Sequence, residues 1–402
     1  MLPNLSLYIQ SFGATNQEIG WVMASFAVGL LGLRPKMAKL TDDIGRKPAM
    51  LIGISVIAIA PLLYLSVRTL PTVIFTLPFL GWSFKSSVVL LAMTRAFHGI
   101  SIAAFATAYS AAIADMAPPK SRGELIGYMS LSNPLGMAFG PAMGGYLEGS
   151  FTLAFLAMAT LGAVGTVCIL ATREPNRPSI EADPTIPKPK RSSSYGAFWS
   201  LLFTPPIRIP ALILFMVGIA FGSMVAFVPL HARQLEVPIN IGLIYTVSAI
   251  ASFSIRFLAG KASDRLGRGR FISLGLASYS LAMFTLWFSN SPQMFLLAGV
   301  FQGAGSGTLI PIIAALMADR SKPNERGLTF GLCLTGFDLG IALAGPVMGQ
   351  IADIGSYSLV FALSGGMTLL GLLIFVTTSS KDLAHSIRFA LSGGRDVYAV
   401  KS

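Results

Sequence analysis

Arg95, His98 and Asp338 are ionisable residues set inside long apolar runs. A charged residue at the centre of a membrane helix costs about 2.5–3.5 kcal/mol on insertion scales, so it ordinarily faces a cavity or a partner. Counted from a predicted span over 87–115, Arg95 lies roughly 12 Å deep at 1.5 Å of rise per residue. There it can neutralise a buried anion, pair structurally, or snorkel toward the headgroups. Asp338 falls near the middle of a predicted span over 326–350. It can take up a proton, partner Arg95, or sit as a satisfied core carboxylate. His98 has an intrinsic pKa suited to relaying protons. The blander reading is a hydrogen-bonded core histidine.

A second constellation occurs twice. Arg34-Pro35, Asp42 and Gly45-Arg46 are matched by Arg256, Asp264-Arg265 and Gly267-Arg268, with the same Arg-to-Asp and Asp-to-Gly-Arg spacings. Each copy ends one apolar run and precedes another. Asp42 and Asp264 can each cap a helix N-terminus in the opposite half, near Gly327 and Gly123, where the helix dipole favours an anion. The simpler alternative is that these charges fix only topology and turn shape.

The elements that must position these groups are apolar helices. The chain has 402 residues, 53% of them hydrophobic and 11% charged, with mean hydropathy +0.70. A soluble domain carries about 25% charged residues, and about 20 apolar residues cross a bilayer. Spans are predicted over 18–38, 48–67, 87–115, 123–147, 151–171, 209–230, 239–260, 270–289, 293–316, 326–350 and 356–377. The runs are too long and too continuous for the alternating strands of a transmembrane barrel. The chain therefore reads as an all-α polytopic membrane protein. Of its 29 Lys and Arg residues, all but Arg68, Lys85, Arg233 and Arg95 fall on one side when the loops alternate. That side is expected to be the cytoplasm. The net charge of +12 thus reports topology and contact with anionic lipid, and no nucleic acid is expected as a partner. Cys168 and Cys333 lie within apolar runs and read as small packing residues.

The repeat extends beyond the loops. Asp264 follows Asp42 by 222 positions, whereas Gln302-Gly303 follows His98-Gly99 by 204. Ala318-Asp319 and Arg326-Gly327 follow Ala114-Asp115 and Arg122-Gly123 by the same 204. Two homologous halves are implied, with extra residues in the first near 69–86, read as an interfacial or re-entrant hairpin. The predicted organisation is an N-terminal bundle over 1–172, a Pro-, Lys-, Arg- and Ser-rich cytoplasmic linker over 173–208, a C-terminal bundle over 209–378, and a cytoplasmic tail over 379–402. Gly242 is the counterpart of Gly20, yet a full predicted helix precedes only Gly242. By this symmetry most of a first helix, about 20 residues, is expected to be missing. The intact protein is expected to have twelve spans with both termini cytoplasmic.

These residues resemble the major facilitator superfamily over essentially the whole chain. Arg34-Pro35…Asp42…Gly45-Arg46-Lys47 is similar to its signature between the second and third helices, with Ala38 where the family prefers Gly and Asp43 where it prefers Arg. Gly260…Asp264-Arg265…Gly267-Arg268 is similar to the partner loop between the eighth and ninth. Gly127, Gly136, Gly140-Pro141 and Gly144-Gly145 match the fifth-helix pattern of the drug:proton antiporter branch. Gly331, Gly340, Gly345-Pro346 and Gly349 form a degenerate eleventh-helix counterpart. Arg95 with His98-Gly99 resembles the fourth-helix motif of that branch, with His98 where Gln is usual.

The resemblance implies the major facilitator fold, two pseudo-symmetric six-helix bundles. It also implies a latch in which Arg46 and Arg268 pair with Asp115 and Asp319, alongside Asp42, Asp264 and Arg265. Many drug antiporters place an essential acid in the first helix, which is the element expected to be missing. Closely spaced small residues let helix backbones approach in lipid, and Pro141 and Pro346 favour bends. Packing alone, or a seam that also biases conformation, would use these residues.

The expected function is proton-driven export of a small molecule by alternating access. The partners are a small-molecule substrate, protons and the bilayer, with the chain acting as a monomer in the inner (plasma) membrane. A sugar or metabolite permease of the same fold is the nearest alternative; a non-transporting truncated or sensor-like membrane protein is another. Neither a Gly-x-x-x-x-Gly-Lys-Ser/Thr loop nor a His-Glu-x-x-His pair occurs, so no cofactor and no enzymatic activity are expected.

Overall fold

The computed structural model describes residues 2–77, 82–116, 132–147, 149–173, 201–321, 326–394 and 396–400. In chain order the elements are α1 (Leu2–Gln10), α2 (Asn16–Asp43), α3 (Arg46–Val67), β1 (Ile74–Leu77), β2 (Trp82–Lys85), α4 (Ser86–Met116), α5 (Ser132–Tyr146) and α6 (Phe151–Ala171). They continue with α7 (Pro205–Gln234), α8 (Ile241–Leu266), α9 (Arg268–Trp287), α10 (Pro292–Asp319), α11 (Arg326–Ile354), α12 (Tyr357–Thr378) and α13 (Leu383–Ser392). The all-α polytopic reading holds. Eight of the described helices, namely α3, α4, α6, α7, α8, α10, α11 and α12, are long and apolar enough to cross a membrane. α2 and α9 coincide with predicted spans but carry more charged and hydroxyl side chains. Residues 123–131 of the predicted span over 123–147 lie outside the described residues, as does 174–200 of the linker.

Local chemistry sets the helix ends. Thr15 and Glu18 close a capping box at the start of α2: the Thr15 N–H donates to Glu18 Oε2 at 2.8 Å and the Glu18 N–H to Thr15 Oγ1 at 3.1 Å. Ser150, Asn240 and Ser356 cap α6, α8 and α12 through their side-chain oxygens. The two Gly-Arg loops share one backbone solution. Gly45 has φ 142° and Gly267 has φ 96°, a region open to glycine and strained for other residues. α3 and α9 each begin at the arginine immediately after the glycine.

The extra segment near 69–86 contains a pair of β-strands. β1 and β2 pair antiparallel, with Ile74 opposite Lys85 and Leu77 opposite Trp82. Its base is tied by Ser86, whose hydroxyl accepts the Val73 N–H at 2.8 Å and donates to the Pro71 carbonyl at 3.2 Å.

The chain forms two compact units. One comprises 25–133 and 150–199; in it α3 packs along α4 and α6. The other comprises 1–24, 134–149 and 200–402; in it α7 packs on α11 and α12, and α9 and α8 flank α10. α7 is the most enclosed of the candidate spans, with 83% of its apolar window buried, against 11% for α6.

The α8–α10 seam follows from glycine spacing. Gly299, Gly303 and Gly307 lie four residues apart on α10, and added Cβ atoms would meet the backbone oxygens of Ile244, Ser248 and Ser252 on α8. In the first half, Gly99 meets the Phe26 oxygen in the same way. Phe26 and Ser248 are separated by the 222-residue shift and Gly99 and Gly303 by 204, so the repeat read from the loops holds at a packed helix crossing.

Candidate functional site

Three constellations carry the candidate chemistry. The first lies in the unit of residues 25–133 and 150–199. Arg95 and His98 stand one turn apart on α4, spacing that puts them on one face. Both are buried. The Arg95 guanidinium lies 4.5 Å from the centre of the Phe26 ring, a cation–π arrangement, and beside the Tyr64 phenol. The His98 ring sits edge-on to Phe26 at 5.7 Å and to Tyr64 at 6.2 Å, and Tyr64 stacks on Phe155 at 5.5 Å. Close packing fixes this box: Ser25 Oγ donates to the Ala92 carbonyl at 2.8 Å, and Gly29 and Gly99 bring α2 against α4. Arg95 Nε and His98 Nδ1 are buried without a hydrogen-bond partner among the described residues. An unsatisfied buried polar atom costs about 1–3 kcal/mol, so an acceptor arriving there gains strongly.

The matching positions of the second half are closed. Gln302 stands where His98 does; it hydrogen-bonds Ser248 and donates to Tyr279 Oη at 3.2 Å. Gly299 stands where Arg95 does, 2.7 Å from the Ile244 oxygen if given a Cβ. At these matching positions the first half carries a cation and an imidazole, the second a glycine and an amide.

The second constellation is the charged loop between α8 and α9. The Arg268 side chain is bracketed by two carboxylates: Nη1 lies 2.9 Å from Asp264 Oδ1, and Nε donates to Asp319 Oδ2 at the end of α10. Arg265 is exposed. A cavity of about 270 Å³ opens beside the pair, lined by Arg256, Ser263, Asp264, Arg268, Gly307 and Pro311. The two arginines and the aspartate of the second motif copy thus share one space. Pro311 lacks the N–H that would bond the Gly307 carbonyl. In the first copy, Arg46 Nη1 donates to the Thr41 carbonyl at 2.7 Å. The side chains of Asp42 and Asp115 lie outside the described residues, as do Gly123 and the side-chain position of Gly327.

The third constellation is a pair of glycine crossings at the other end of these helices. On α5, an added Cβ at Gly145 would lie 2.6 Å from the Gly242 nitrogen on α8, and one at Gly242 would strike the Pro141 carbonyl. The Gly144 carbonyl accepts from Asn4 Nδ2 at 2.8 Å. Gly136 and Gly140 face open space, and Gly127 lies outside the described residues. The α2–α11 crossing repeats the pattern: Gly20 abuts the Gly345 carbonyl, and Gly349 sits 2.9 Å, at its would-be Cβ, from Gln17 Cα.

Side chains seal the second crossing. Asp353 accepts the Asn16 and Gln17 N–H groups at 3.0 and 2.8 Å, capping α2 across the junction, and Tyr357 Oη donates to Asn16 Oδ1 at 2.5 Å. A cavity of about 590 Å³ lies beside it, lined by Gln10, Asn16, Arg233 and Tyr357 among others.

Asp338 is half-buried on α11. It lies between Gly336 and Gly340, which pack against the Ala211 and Phe215 carbonyls of α7. Asp338 and Arg95 belong to different units. Sequence reasoning missed Asp353 and Tyr357, which reveal themselves only through distant partners, and it read Gln302 only as the repeat counterpart of His98. It also missed the Gly299-x-x-x-Gly303-x-x-x-Gly307 face, whose four-residue spacing is itself a packing signal.

Comparison with known proteins adds to this geometry. A family model described as Major Facilitator Superfamily matches residues 1–240 and 238–392. Multidrug resistance protein 2 of Bacillus subtilis is 24% identical over 379 residues, covering 92% of this chain and 89% of that protein. The staphylopine export protein of Staphylococcus aureus is 23% identical over 369 residues, covering 89% and 86%. The crystal structure of a D-xylose-proton symporter superposes with a TM-score of 0.71 at 16% identity, covering 94% of each chain; at that identity the likeness concerns the fold alone.

Proposed function

The chain belongs to the major facilitator superfamily, and on that premise we propose that it is a proton-coupled exporter of small molecules working by alternating access between two pseudo-symmetric helical bundles, 1–172 and 209–378. Membership makes it a multi-pass membrane transporter. The direction and the coupling are our reading. The observation that carries export is the α5 motif, in which Pro141 and Gly145 meet α8, and the Gly144 carbonyl meets Asn4 of α1, at the end away from the basic loops. Relatives named for multidrug resistance and for staphylopine export support the same direction. The side rich in Lys and Arg is the cytoplasm, which places the glycine crossings at the outer end. The protein works as a monomer in the inner (plasma) membrane.

Arg95 is the group we assign to cargo or proton coupling. It is buried, sits over an aromatic face, and has no counterpart in the second half. His98 lies beside it as the relay candidate, and Asp338 is the candidate acid in the other unit. Arg95→Leu is expected to lower turnover more than tenfold with the melting temperature unchanged or raised, because leucine removes a cation that costs about 2.5–3.5 kcal/mol to insert. His98→Gln, the residue at the matching place in the second half, cannot carry a proton and is expected to slow pH-driven transport with the melting temperature unchanged; unchanged transport would remove the relay role. Loss of stability together with loss of turnover in Arg95→Leu would reassign Arg95 to packing.

Asp264, Arg268 and Asp319 form the inner latch, with Arg265, Asp42, Arg46 and Asp115 as its remaining members. Asp264→Ala is expected to raise thiol labelling at the basic-loop end and to slow transport several-fold. Unchanged labelling and unchanged transport would reduce the loop to a topology signal.

The decisive experiment for the function is transport in proteoliposomes. An imposed pH gradient should drive accumulation of a cationic dye against its own gradient, and adding dye to one side should move protons the other way. Dye equilibration without proton movement would leave facilitated diffusion. Resistance profiling of cells carrying the gene, across dyes and metabolites, would then name the cargo.

A further inference from the structure

α13 divides around its axis into three sectors. Ser386, Phe389 and Ala390 are buried. Leu383, Ile387 and Leu391 are exposed by 56%, 40% and 52% and lie four residues apart, so they form one stripe at 3.6 residues per turn. His385, Arg388 and Ser392 are exposed on the remaining side. A helix on the surface of a soluble protein needs only two sectors, one buried and one polar. The third, apolar and unburied, requires a second apolar phase.

The helix is held rigidly in place. The Asp382 side chain caps it, accepting the His385 N–H at 2.8 Å. That hydrogen bond, with the His385 ring, holds the Asp382 carboxyl below its usual range. The capping is therefore present above the ordinary carboxylate range and lost only as pH falls through the lowered value. Ser273 Oγ donates to the Ala390 carbonyl at 3.0 Å and Arg270 Nε to the Leu391 carbonyl at 2.8 Å, fastening α13 to the first turns of α9. Phe389 packs against Phe375 near the end of α12. α13 therefore sits at the level where two membrane helices end, which is the headgroup region.

Two further observations identify what covers the stripe. Exposed leucines continue beyond it along the helices it touches, Leu274 and Leu281 on α9 and Leu369, Leu370 and Leu373 on α12. The charge around it is net basic: Lys381 and Arg388 are exposed beside the single Asp382 carboxylate, and Arg265 and Arg270 stand on the neighbouring elements. An apolar strip beside a basic rim fits acyl chains beneath anionic headgroups.

We propose that α13 is an interfacial helix that docks on an anionic leaflet, with Leu383, Ile387 and Leu391 in the acyl boundary and Lys381, Arg388 and Arg270 on the headgroups. It thereby links leaflet composition to the Arg268 loop, since Gly269 packs on the Phe389 carbonyl and the Val400 N–H donates to the Asp319 carbonyl at 2.9 Å.

The test uses the full chain with Cys168 and Cys333 replaced by alanine and single cysteines at Ile387→Cys or His385→Cys, each labelled with an environment-sensitive fluorophore. The protein is reconstituted in phosphatidylcholine vesicles with or without phosphatidylglycerol. The label at 387 should lose most of its emission to a lipid-borne nitroxide and little to soluble iodide, and the label at 385 should do the reverse. Phosphatidylglycerol should deepen the 387 response, and Arg388→Glu should remove that dependence without lowering the melting temperature. Equal iodide quenching at both positions overturns the proposal. So does protection of 387 that needs an added soluble protein, which would make the stripe a protein-docking site. These readouts need no transport, so they stand apart from the assigned function.

Discussion

Gly20→Leu is expected to abolish transport and to hold open the end of the protein away from the basic loops. The added Cβ would overlap the Gly345 carbonyl and lie 3.0 Å from the Pro346 nitrogen. Both are backbone atoms, so no rotamer change relieves the clash. Overpacking of this kind costs about 1–3 kcal/mol, a five- to 150-fold shift in a two-state equilibrium. Separating the helices also withdraws the Asn16 and Gln17 N–H groups from Asp353. A cysteine at Ser356, which lines the neighbouring cavity, should react faster with a membrane-impermeant thiol reagent in the variant. Gly32→Ala, on the same helix where an added Cβ meets nothing within 4 Å, should be neutral or stabilise by up to about 1 kcal/mol, as Gly-to-Ala changes in helices do. Equal effects of the two variants would show that helix propensity, not the crossing, is being read.

The second large effect is expected at Asp396. Arg320 follows Asp319 directly, and its side chain is 1% exposed. Asp396 grips it through two hydrogen bonds of 2.6 and 3.0 Å, while the Pro206 carbonyl accepts from Nη1 at 2.7 Å. The Phe389 and Tyr398 rings lie 5.9 and 5.1 Å from its guanidinium carbon. Asp396→Ala strands this cation, and breaking a buried pair costs about 3–5 kcal/mol. A marked fall in melting temperature is expected. Replacing both partners, Arg320→Met with Asp396→Leu, should recover most of it, because the desolvation cost goes with the charges. A double variant as unstable as the single one would show that the carbonyl contacts and ring packing dominate.

The fold was legible because hydropathy and backbone rules act locally. Each predicted span falls on a described helix, the 123–147 span only from residue 132 onward, and Gly45 and Gly267 announced their loops because their backbone angles favour glycine. The α5 motif was legible in part: Gly145 is a crossing residue, yet a Cβ added at Gly136 or Gly140 of the same pattern would meet nothing within 4 Å among the described residues. Periodicity marks small residues but not which neighbour they face. The hairpin at 74–85 was ambiguous because short apolar runs with prolines suit several shapes. Asp353 and the Arg320–Asp396 pair were hidden, since each joins residues far apart in sequence with no repeat to betray them. α13 carried its own signals, a capping Asp382 and a C-terminal Gly393 with positive φ, which a basic, polar context obscured.

The α8–α10 seam also has a thermodynamic meaning. Where Gly299, Gly303 and Gly307 meet backbone oxygens, the glycines themselves forfeit no rotamer entropy when buried. The contact is made of fixed dipoles and C–H donors at close range. It therefore gains little by loosening on warming, and the two helices should travel as one rigid lever. Any softness the machine needs must come from elsewhere than this seam.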